Sequence, residues 1–293
     1  MNIPEIRSSI EDIEKDASLF EEKNFNRRTE AIDFLGFHLI DQIGGPDETA
    51  ELSLLKHRAE KVRTGLEQVD DMLFKKLRAI ISAGNCTGKT FKDLVNEYFD
   101  LNSLTEGQAG FDNLDLFINR LFPFDTIPEQ TKELEPEMVF YQKTPARVIF
   151  ELAKKCYFTK DDVFLDLGSG LGQVAILVHL LTGVAAKGIE FEPAFCNYAR
   201  DCAAALNLTG VSFINIDARK ADYSAGTVFF LYTPFTGEML QEVLELLRAE
   251  SLHRKIRVIT YGPCTPQVAL QSWLCSTNPM DNNSYRLAFF NSI

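Results

Sequence analysis

A glycine-rich segment preceded by an acidic residue carries the clearest chemical signal in the chain. It reads Asp166-Leu-Gly168-Ser-Gly170-Leu-Gly172-Gln173, and it lies between the apolar runs VFLDL and QVAILVHLL. Glycine at such a turn lets the backbone approach a ligand closely, with the N-terminus of a helix behind it. The dinucleotide-binding pattern GxGxxG would need glycine at position 173, which is glutamine here. The Asp166 carboxylate can instead receive the ammonium of an amino-acid moiety, directly or through water.

Two more acidic residues follow later apolar runs. Glu190 ends the run AAKGIE, and Asp217 ends the run VSFINID. An acid at the tip of a second strand accepts hydrogen bonds from ribose hydroxyls in nucleotide-binding sheets, and Asp217 could accept one from an adenine exocyclic amine. Because parallel strands end at one edge of a sheet, we expect these two acids and Asp166 to share one crevice. The alternative is a glycine-rich turn that binds nothing.

Short apolar strands alternating with helices predict the sheet that positions these acids. The runs span residues 163–167, 185–190, 211–217, 227–232 and 256–262. Such a pattern indicates a parallel sheet covered by helices on both faces. Two further runs, at 272–276 and 285–293, predict an antiparallel hairpin at the end of the chain. The predicted fold class is therefore α/β, with a mostly parallel seven-stranded sheet after an all-α region.

Two apolar stripes at helical spacing dominate the first part of the chain. The first comprises Ile6, Ile10, Ile13, Ala17 and Phe20, and the second comprises Leu52, Leu55, Ala59, Val62, Leu66, Val69 and Leu73. Gly44-Gly45-Pro46 separates them, and shorter helical patterns follow at 90–101 and 113–122. The stripes predict an intramolecular helical bundle; the alternative is a coiled-coil partner helix, which would make a homodimer through these helices.

Composition and charge predict two domains of different character. Residues 1–125 form the predicted acidic helical domain and residues 126–293 the α/β domain, with a proline-containing linker at 126–137. The net charge is −12, and residues 1–135 hold 16 Lys and Arg against 27 Asp and Glu. An acidic surface repels phosphate backbones and tolerates a basic partner, so we expect no DNA binding and a basic protein as one possible substrate.

The remaining composition points to a cytoplasmic protein. No apolar run approaches the roughly 20 residues that span a bilayer, so no membrane is expected. The sequence MNIPEIRSSIEDIEKD has acids where a signal peptide has a basic patch and an apolar core. The six cysteines form no CxxC and no Cys/His cluster, which fits reduced thiols and predicts no metal site. A loose phosphate-loop pattern at 83–90 follows a helical pattern, not a strand, and is interpreted as an inter-helix loop.

The glycine-rich segment and its acids resemble those of class I S-adenosylmethionine-dependent methyltransferases, over about residues 138–293. Tyr141-Gln-Lys-Thr144-Pro145 followed by DLGSGxGQV is similar to the non-SET protein-lysine methyltransferases, including the nucleosomal histone H3 enzyme. The resemblance implies a Rossmann-like fold, S-adenosyl-L-methionine as cofactor, and a Tyr/Thr loop over its methionine part. The cofactor-binding residues that it implies are Tyr141, Thr144, Asp166, Gly168, Ser169, Gly170, Gly172, Gln173, Glu190, Phe191, Asp217 and Ala218. Alternatively, Tyr141 and Thr144 only pack at a helix entry.

The segment after the fourth strand bears on the methyl acceptor. It reads Tyr232-Thr233-Pro234-Phe235, where methyltransferases of nucleobase and glutamine amino groups carry N-P-P-[YF]. Tyrosine in place of that asparagine disfavours adenine or glutamine, and an aromatic slot suits a lysine stem and its methylammonium. Tyr141, Tyr232 and Phe235 are therefore the predicted catalytic residues. Alternatively, Tyr232 and Phe235 end a strand and pack beneath the next helix.

Three functions stay open on the sequence alone. The first is protein-lysine methylation, and the second is methylation of RNA or a small molecule. RNA binding would call for a basic stripe with exposed aromatic residues, which the sequence does not show. The third is a non-catalytic scaffold that binds the cofactor or nothing, against which the intact glycines and acids argue.

Overall fold

A computed structural model describes residues 2–43, 49–101, 110–124, 126–277 and 283–293 of the 293-residue chain. The predicted break at Gly44-Gly45-Pro46 and most of the turn between the last two strands lie outside these described residues. Within the described ranges, no helix combines the length and the apolar character needed to cross a bilayer.

The first part of the chain is helical, as predicted. Its α-helices are α1 (Ile3–Lys15), α2 (Phe25–Asp33), α3 (Ala50–Ser82), α4 (Lys89–Asn96) and α5 (Asn113–Leu121), with a π-helix at Phe34–Ile40 directly after α2. The phosphate-loop pattern at 83–90 is a turn between α3 and the start of α4. The prediction of an inter-helix loop there is confirmed.

Helix α1 is shorter than its apolar stripe predicts. A capping box starts it, in which the Asn2 side chain accepts from the Glu5 N–H and the Glu5 carboxylate accepts from the Asn2 N–H. The helix ends at Lys15 because the Asp16 carboxylate instead accepts from the Ser18 N–H and opens a 3₁₀ turn. The prediction that the stripe continues in one helix to Phe20 is wrong.

The chain divides into two compact units. The first comprises Met1–Ala79 and Leu94–Leu101, and the second comprises Ile80–Asp93 and Asn102–Ile293. In the first unit, the predicted stripe residues Ile6, Ile10, Leu55, Ala59 and Leu66 pack into one apolar core. The predicted domain boundary at residues 125–126 and the predicted homodimer both stay predictions.

A buried ion pair fixes the first unit internally. The Arg28 side chain is fully buried, and its Nε donates to Asp70 Oδ1 at 2.6 Å. Its Nη1 donates to the carbonyl oxygens of Leu19 and Glu21 at 2.9 Å. Because the guanidinium and the carboxylate are both desolvated, removing either partner would leave the other buried charge without this ion pair and would destabilise the unit.

The second unit is a seven-stranded sheet flanked by helices. Its elements are α6 (Ala146–Lys155), β1 (Val163–Leu167), α7 (Gln173–Thr182), β2 (Ala185–Glu190), α8 (Pro193–Ala205), β3 (Val211–Asn215), β4 (Val228–Leu231), α9 (Gly237–Ser251), β5 (Arg257–Thr260), α10 (Thr265–Ala269), β6 (Leu274–Ser276) and β7 (Ala288–Ser292). The strand order is β3-β2-β1-β4-β5-β7-β6. The first five strands are parallel, and β7 pairs antiparallel with both β5 and β6. The predicted α/β fold class is confirmed.

The strand order places the acidic residues together. The chain leaves β1 on one side to form β2 and β3, and later returns to the other side of β1 to form β4 and β5. Ligands of open α/β sheets bind outside the carboxyl ends of the strands at this reversal. Asp166 near the end of β1, Glu190 at the end of β2 and Asp217 just after β3 therefore face one region.

Candidate functional site

A crevice lies at the carboxyl edge of the sheet and encloses about 980 Å³, including solvent space at its mouth. All of the predicted site residues except Gly172 line it. They are Tyr141, Thr144, Asp166, Gly168, Ser169, Gly170, Gln173, Glu190, Phe191, Asp217, Ala218, Tyr232 and Phe235. The structure thus brings together residues that the sequence spreads over almost one hundred positions.

Gly170 lies against the Tyr141 ring within the glycine-rich turn. Its φ is +51°, and a Cβ built there would lie 2.3 Å from Cε2 of Tyr141. The turn itself is held by N–H bonds from Gly168 and Ser169 to the Ile189 carbonyl oxygen. A side chain at position 170 would therefore displace the Tyr141 ring from the crevice wall.

Gly172 has a packing role in the structure. A Cβ at this position would meet the Phe213 ring at 2.6 Å and the Ala199 methyl at 2.7 Å. The missing side chain lets the start of α7 lie close to β3 and α8. A ligand contact at Gly172 stays a prediction.

Within the part of the chain that the structure describes, three polar side chains near the glycine-rich turn have buried atoms without a hydrogen-bond partner. Asp166 Oδ2, Ser169 Oγ and both amide atoms of Gln173 are in this state, and all three residues line the crevice. Buried polar atoms in folded proteins are nearly always paired, so these exceptions call for an explanation. Groups that bind a polar ligand in the crevice would supply one.

Burial also changes the proton affinity of Asp166. Desolvation, followed by the nearby negative charge of Glu190, raises the pKa of Asp166 to about 8. A cation placed against this carboxylate would favour its ionised form and lower the pKa again. The site is therefore suited to an ammonium group.

Glu190 holds the glycine-rich turn to the end of β2. Its Oε2 accepts from the Gly170 N–H at 2.6 Å, and its Oε1 accepts from the Glu192 N–H at 2.8 Å. Burial raises the pKa of Glu190, while these backbone donors act in the opposite direction. A carboxylate can accept about four hydrogen bonds, so a ribose contact is compatible with the bonds seen and stays a prediction.

Asp217 is paired with an arginine in the structure. Its carboxylate accepts from Arg219 Nε at 3.0 Å and from Arg219 Nη2 at 2.6 Å, and the same Nη2 reaches Glu135 Oε1 at 2.8 Å. The Arg219 bonds hold the pKa of Asp217 below its usual value. The predicted contact of Asp217 with an adenine amine stays a prediction, and Arg219 is a neighbour that the sequence analysis missed.

The predicted Tyr/Thr loop forms one wall of the crevice. The Tyr141 ring lies 5.6 Å from the Phe195 ring, measured between centroids, and burial raises the pKa of its hydroxyl. Thr144 is buried, and the loop ends at Ala146, whose N–H donates to Asp115 Oδ1 at 2.7 Å. The Tyr141 ring thus packs against Phe195 and also forms part of the crevice wall. Both predictions for Tyr141, a cofactor contact and a packed helix entry, therefore fit the structure.

The segment after β4 has a strained backbone beside an aromatic series. Thr233 has a φ of +39°, which β-branched residues rarely adopt, and its Oγ1 accepts from the Cys264 N–H at 3.1 Å. The Tyr232 ring lies 4.9 Å from the Tyr261 ring, and Tyr261 lies 5.9 Å from Tyr285. Sequence analysis did not single out either partner tyrosine, although Tyr261 lies within the run predicted as the fifth strand and directly follows β5 in the structure.

Phe235 has two environments. It lines the crevice, yet it is only 4% exposed and packs with the core residues Leu231, Met239 and Leu240. The alternative that it packs beneath the next helix therefore fits the structure, and a role at the acceptor stays a prediction. Tyr232 also lines the crevice, and its side chain is more exposed than that of Phe235.

The segment predicted as a linker also forms part of the crevice. Gln130 and Leu134 of this segment line the crevice, as does Met138 directly after it. The Glu192 carboxylate accepts from the N–H groups of Thr131 and Lys132 at 3.0 and 2.8 Å. These contacts join residues 60 or more positions apart, and no local pattern indicates them. The role of residues 126–137 as a domain linker stays a prediction.

Comparisons with known proteins found a family match and several similar solved structures. The family described as "Histone methylation protein DOT1" matches residues 136–252. A search of curated proteins found no match. Among solved structures, an RNA methyltransferase from Salinibacter ruber bound to S-adenosyl-L-homocysteine is 22% identical over 52% of this chain and 92% of that chain, with a TM-score of 0.41.

Two further solved structures show similar values. Precorrin-6y C5,15-methyltransferase from Geobacter metallireducens is 17% identical over 52% of this chain and 89% of its own, with a TM-score of 0.38. A SAM-dependent methyltransferase from Aquifex aeolicus is 14% identical over 49% of this chain and 88% of that chain, with a TM-score of 0.39. The strand order is the Rossmann-like one that class I S-adenosylmethionine-dependent methyltransferases share, and the family match covers less than half of the chain.

Proposed function

We propose that the chain binds S-adenosyl-L-methionine in this crevice and transfers its methyl group to a lysine side chain of a protein. The observation that carries the proposal is the set of unpartnered buried atoms of Asp166, Ser169 and Gln173 beside the glycine-rich turn. A carboxylate, a hydroxyl and an amide that are free to form hydrogen bonds beside one turn match the ammonium and carboxylate of an amino-acid group.

The crevice residues fit the three parts of this cofactor. Asp166, Ser169 and Gln173 offer a carboxylate, a hydroxyl and an amide to its ammonium and carboxylate. Glu190 would serve the ribose, and the apolar side chains of Ile189, Phe191, Ile216 and Ala218 offer a slot for the adenine ring. When bound, S-adenosyl-L-methionine supplies a methyl group on a sulfonium, which is already activated for transfer.

The protein's own contribution is to position the acceptor and exclude water. Proximity and alignment supply a large part of the rate in such a reaction. The rings of Tyr141 and Tyr232 border the crevice and can hold an alkyl stem and a developing methylammonium. An apolar slot also lowers the pKa of an entering lysine, so the amine loses its proton without a dedicated general base.

Two features favour a protein acceptor. The matched family is described by histone methylation, and residues 1–135 carry 27 acidic against 16 basic side chains, which suits a basic protein better than an RNA. The alternatives are methylation of RNA or a small molecule and a non-catalytic scaffold. The finer assignments to a lysine, to a basic protein and to the cytoplasm are part of the proposal.

The decisive experiment follows labelled methyl groups from S-adenosyl-L-methionine into a lysate of the source cell. The products are separated into protein, RNA and small molecules, and labelled protein is hydrolysed to identify the methylated residue. We expect methyl-lysine with the wild-type chain and no label with Asp166→Ala. Label in RNA or in a metabolite alone would overturn the lysine proposal, and calorimetry showing no cofactor binding would overturn the cofactor assignment itself.

A further inference from the structure

Residues 130–139, called the strap below, run across the crevice and are anchored at both ends. At the β2 end, the Glu192 carboxylate accepts from Thr131 Oγ1 at 2.6 Å and from the backbone N–H groups of Thr131 and Lys132. The Lys132 ammonium lies 4.2 Å from the centroid of the Phe191 ring and donates to the Phe191 carbonyl oxygen at 3.1 Å. This end of the strap is fixed to the predicted ribose and adenine side of the crevice.

The other end is fixed to the segment that borders the predicted acceptor. The Glu137 carboxylate accepts from the N–H groups of Glu238 and Met239 at 3.1 and 2.7 Å, so it caps the start of α9. Met138 forms an antiparallel bridge with Phe235, and the Val139 N–H donates to the Pro234 carbonyl oxygen at 3.1 Å. The strap therefore touches both halves of the crevice.

Between these two ends, Glu135 of the strap forms an ion pair with Arg219. Arg219 Nη2 lies 2.8 Å from Glu135 Oε1 and 2.6 Å from Asp217 Oδ2, so a single guanidinium holds the strap and the acid after β3. Glu135 is 43% exposed at its side chain, and Arg219 is 25% exposed. Both are more exposed than Glu192, whose side chain is buried.

We propose that Glu135 and Arg219 are positioning residues that retain the ligand in the crevice by keeping the strap across it. Leu134 and Met138 line the ligand space from the strap, so a strap that is held less firmly between its two fixed ends exposes that space to solvent more often. Arg219 at the same time orients the Asp217 carboxylate. The ligand's residence time then depends on this ion pair as well as on the contacts of the ligand itself. This inference rests on the proposed function only in taking the ligand to be the methyltransferase cofactor or its product.

The test measures the dissociation rate of S-adenosyl-L-homocysteine from the full chain by stopped-flow displacement. Glu135→Gln should speed dissociation by about two- to fivefold, the range expected for one partly exposed ion pair. The wild-type rate should rise with salt, because salt screens exposed pairs, and the E135Q rate should rise less. The matched control is Glu245→Gln, which removes an exposed ion pair with Arg248 on α9 and should leave the rate unchanged.

A double-mutant cycle separates retention from folding. R219Q should speed dissociation at least as much as E135Q, and the double variant should be no faster than R219Q alone, because both changes remove the same anchor. An E135Q rate equal to the wild-type rate would overturn the inference, and so would an R219Q variant with a lower melting temperature but an unchanged rate. Failure of the wild-type chain to bind either compound would instead overturn the proposed function.

Discussion

We expect Asp166 to couple ligand binding to pH, because its side chain is buried beside Glu190 and its Oδ2 has no hydrogen-bond partner among the described residues. With a pKa raised to about 8, the carboxyl is largely neutral at pH 6 to 7 in the free protein. An ammonium ligand needs the ionised form. Binding in this range therefore releases a proton, and affinity should rise as pH increases.

We expect the affinity for S-adenosyl-L-methionine to increase by up to about tenfold per pH unit between pH 6 and 7.5. Above pH 8 the gain should stop, because the α-amino group of the ligand itself loses its proton near that pH. Calorimetry in two buffers of different ionisation enthalpy measures both the affinity and the proton released. Asp166→Asn should show weak binding without this rise; a parallel rise in the variant would assign the titration to another group.

Gly170 offers a residue-scale test with a matched control. Gly170→Ala places a methyl group against the Tyr141 ring, so we expect at least tenfold weaker cofactor binding. The substitution also strains a backbone with positive φ, so the free energy of unfolding should fall by about 1–3 kcal/mol. Gly84 has a φ of +90° with no atom within 4 Å of a built Cβ. Gly84→Ala should therefore carry the backbone strain alone and leave affinity unchanged. Equal affinities for both variants would refute the contact.

At the scale of elements, local patterns predict the strands and much of the helical region. Each run predicted as a strand in the second half contains a strand, and the central strands β1 and β4 are mostly apolar because they are buried on both faces of the sheet. The end of α1 was mispredicted because one side chain, Asp16, overrides the apolar period. The strap was missed for a different reason: Thr131 meets Glu192 across 61 positions, and no periodicity reports such a contact. Tyr285 likewise meets Tyr261 through contacts between distant segments, among them the pairing of β5 with β7.

The starts of three neighbouring strands are joined by one carboxylate, which gives an element-scale prediction. Asp162 directly precedes β1, and its carboxylate accepts from the Thr159 N–H at 2.7 Å. It also accepts from Thr227 Oγ1, just before β4, at 2.7 Å and forms an ion pair with Arg257 of β5 at 2.7 Å. Burial alone would raise the pKa of Asp162, but these bonds outweigh it and lower the pKa to about 2. The ionised form is thus the one that the folded protein stabilises.

A depressed folded-state pKa stabilises the protein above the unfolded value near 4 and loses this effect as the pH falls towards 2. Asp162→Asn should lower the free energy of unfolding by about 2 kcal/mol at pH 7 and by much less at pH 2.5. Chemical denaturation at both values measures this difference. Asp161→Asn is the control, since that neighbouring side chain is exposed. A loss that is the same at both pH values would mean that packing, rather than charge, is responsible.

At the scale of the whole molecule, the uneven charge makes the acceptor class testable before the acceptor is identified in detail. The net charge is −12, and most of it lies in residues 1–135. Such a field attracts a basic acceptor at low salt and repels an anionic one, and salt screens both effects over a Debye length of about 10 Å at 0.1 M. The KM for the acceptor should therefore report the sign of its charge.

For a lysine-rich protein acceptor, we expect KM to rise by about two- to tenfold between 50 and 300 mM salt, with kcat nearly unchanged, because screening weakens encounter and not the transfer itself. Initial rates of labelled methyl transfer across this salt range measure both constants. The KM for S-adenosyl-L-methionine, followed at saturating acceptor, is the internal control and should change less. A KM that falls with salt indicates an anionic acceptor such as RNA, and a KM that does not respond indicates a neutral small molecule. Either result would contradict a basic protein acceptor while leaving the cofactor site in place.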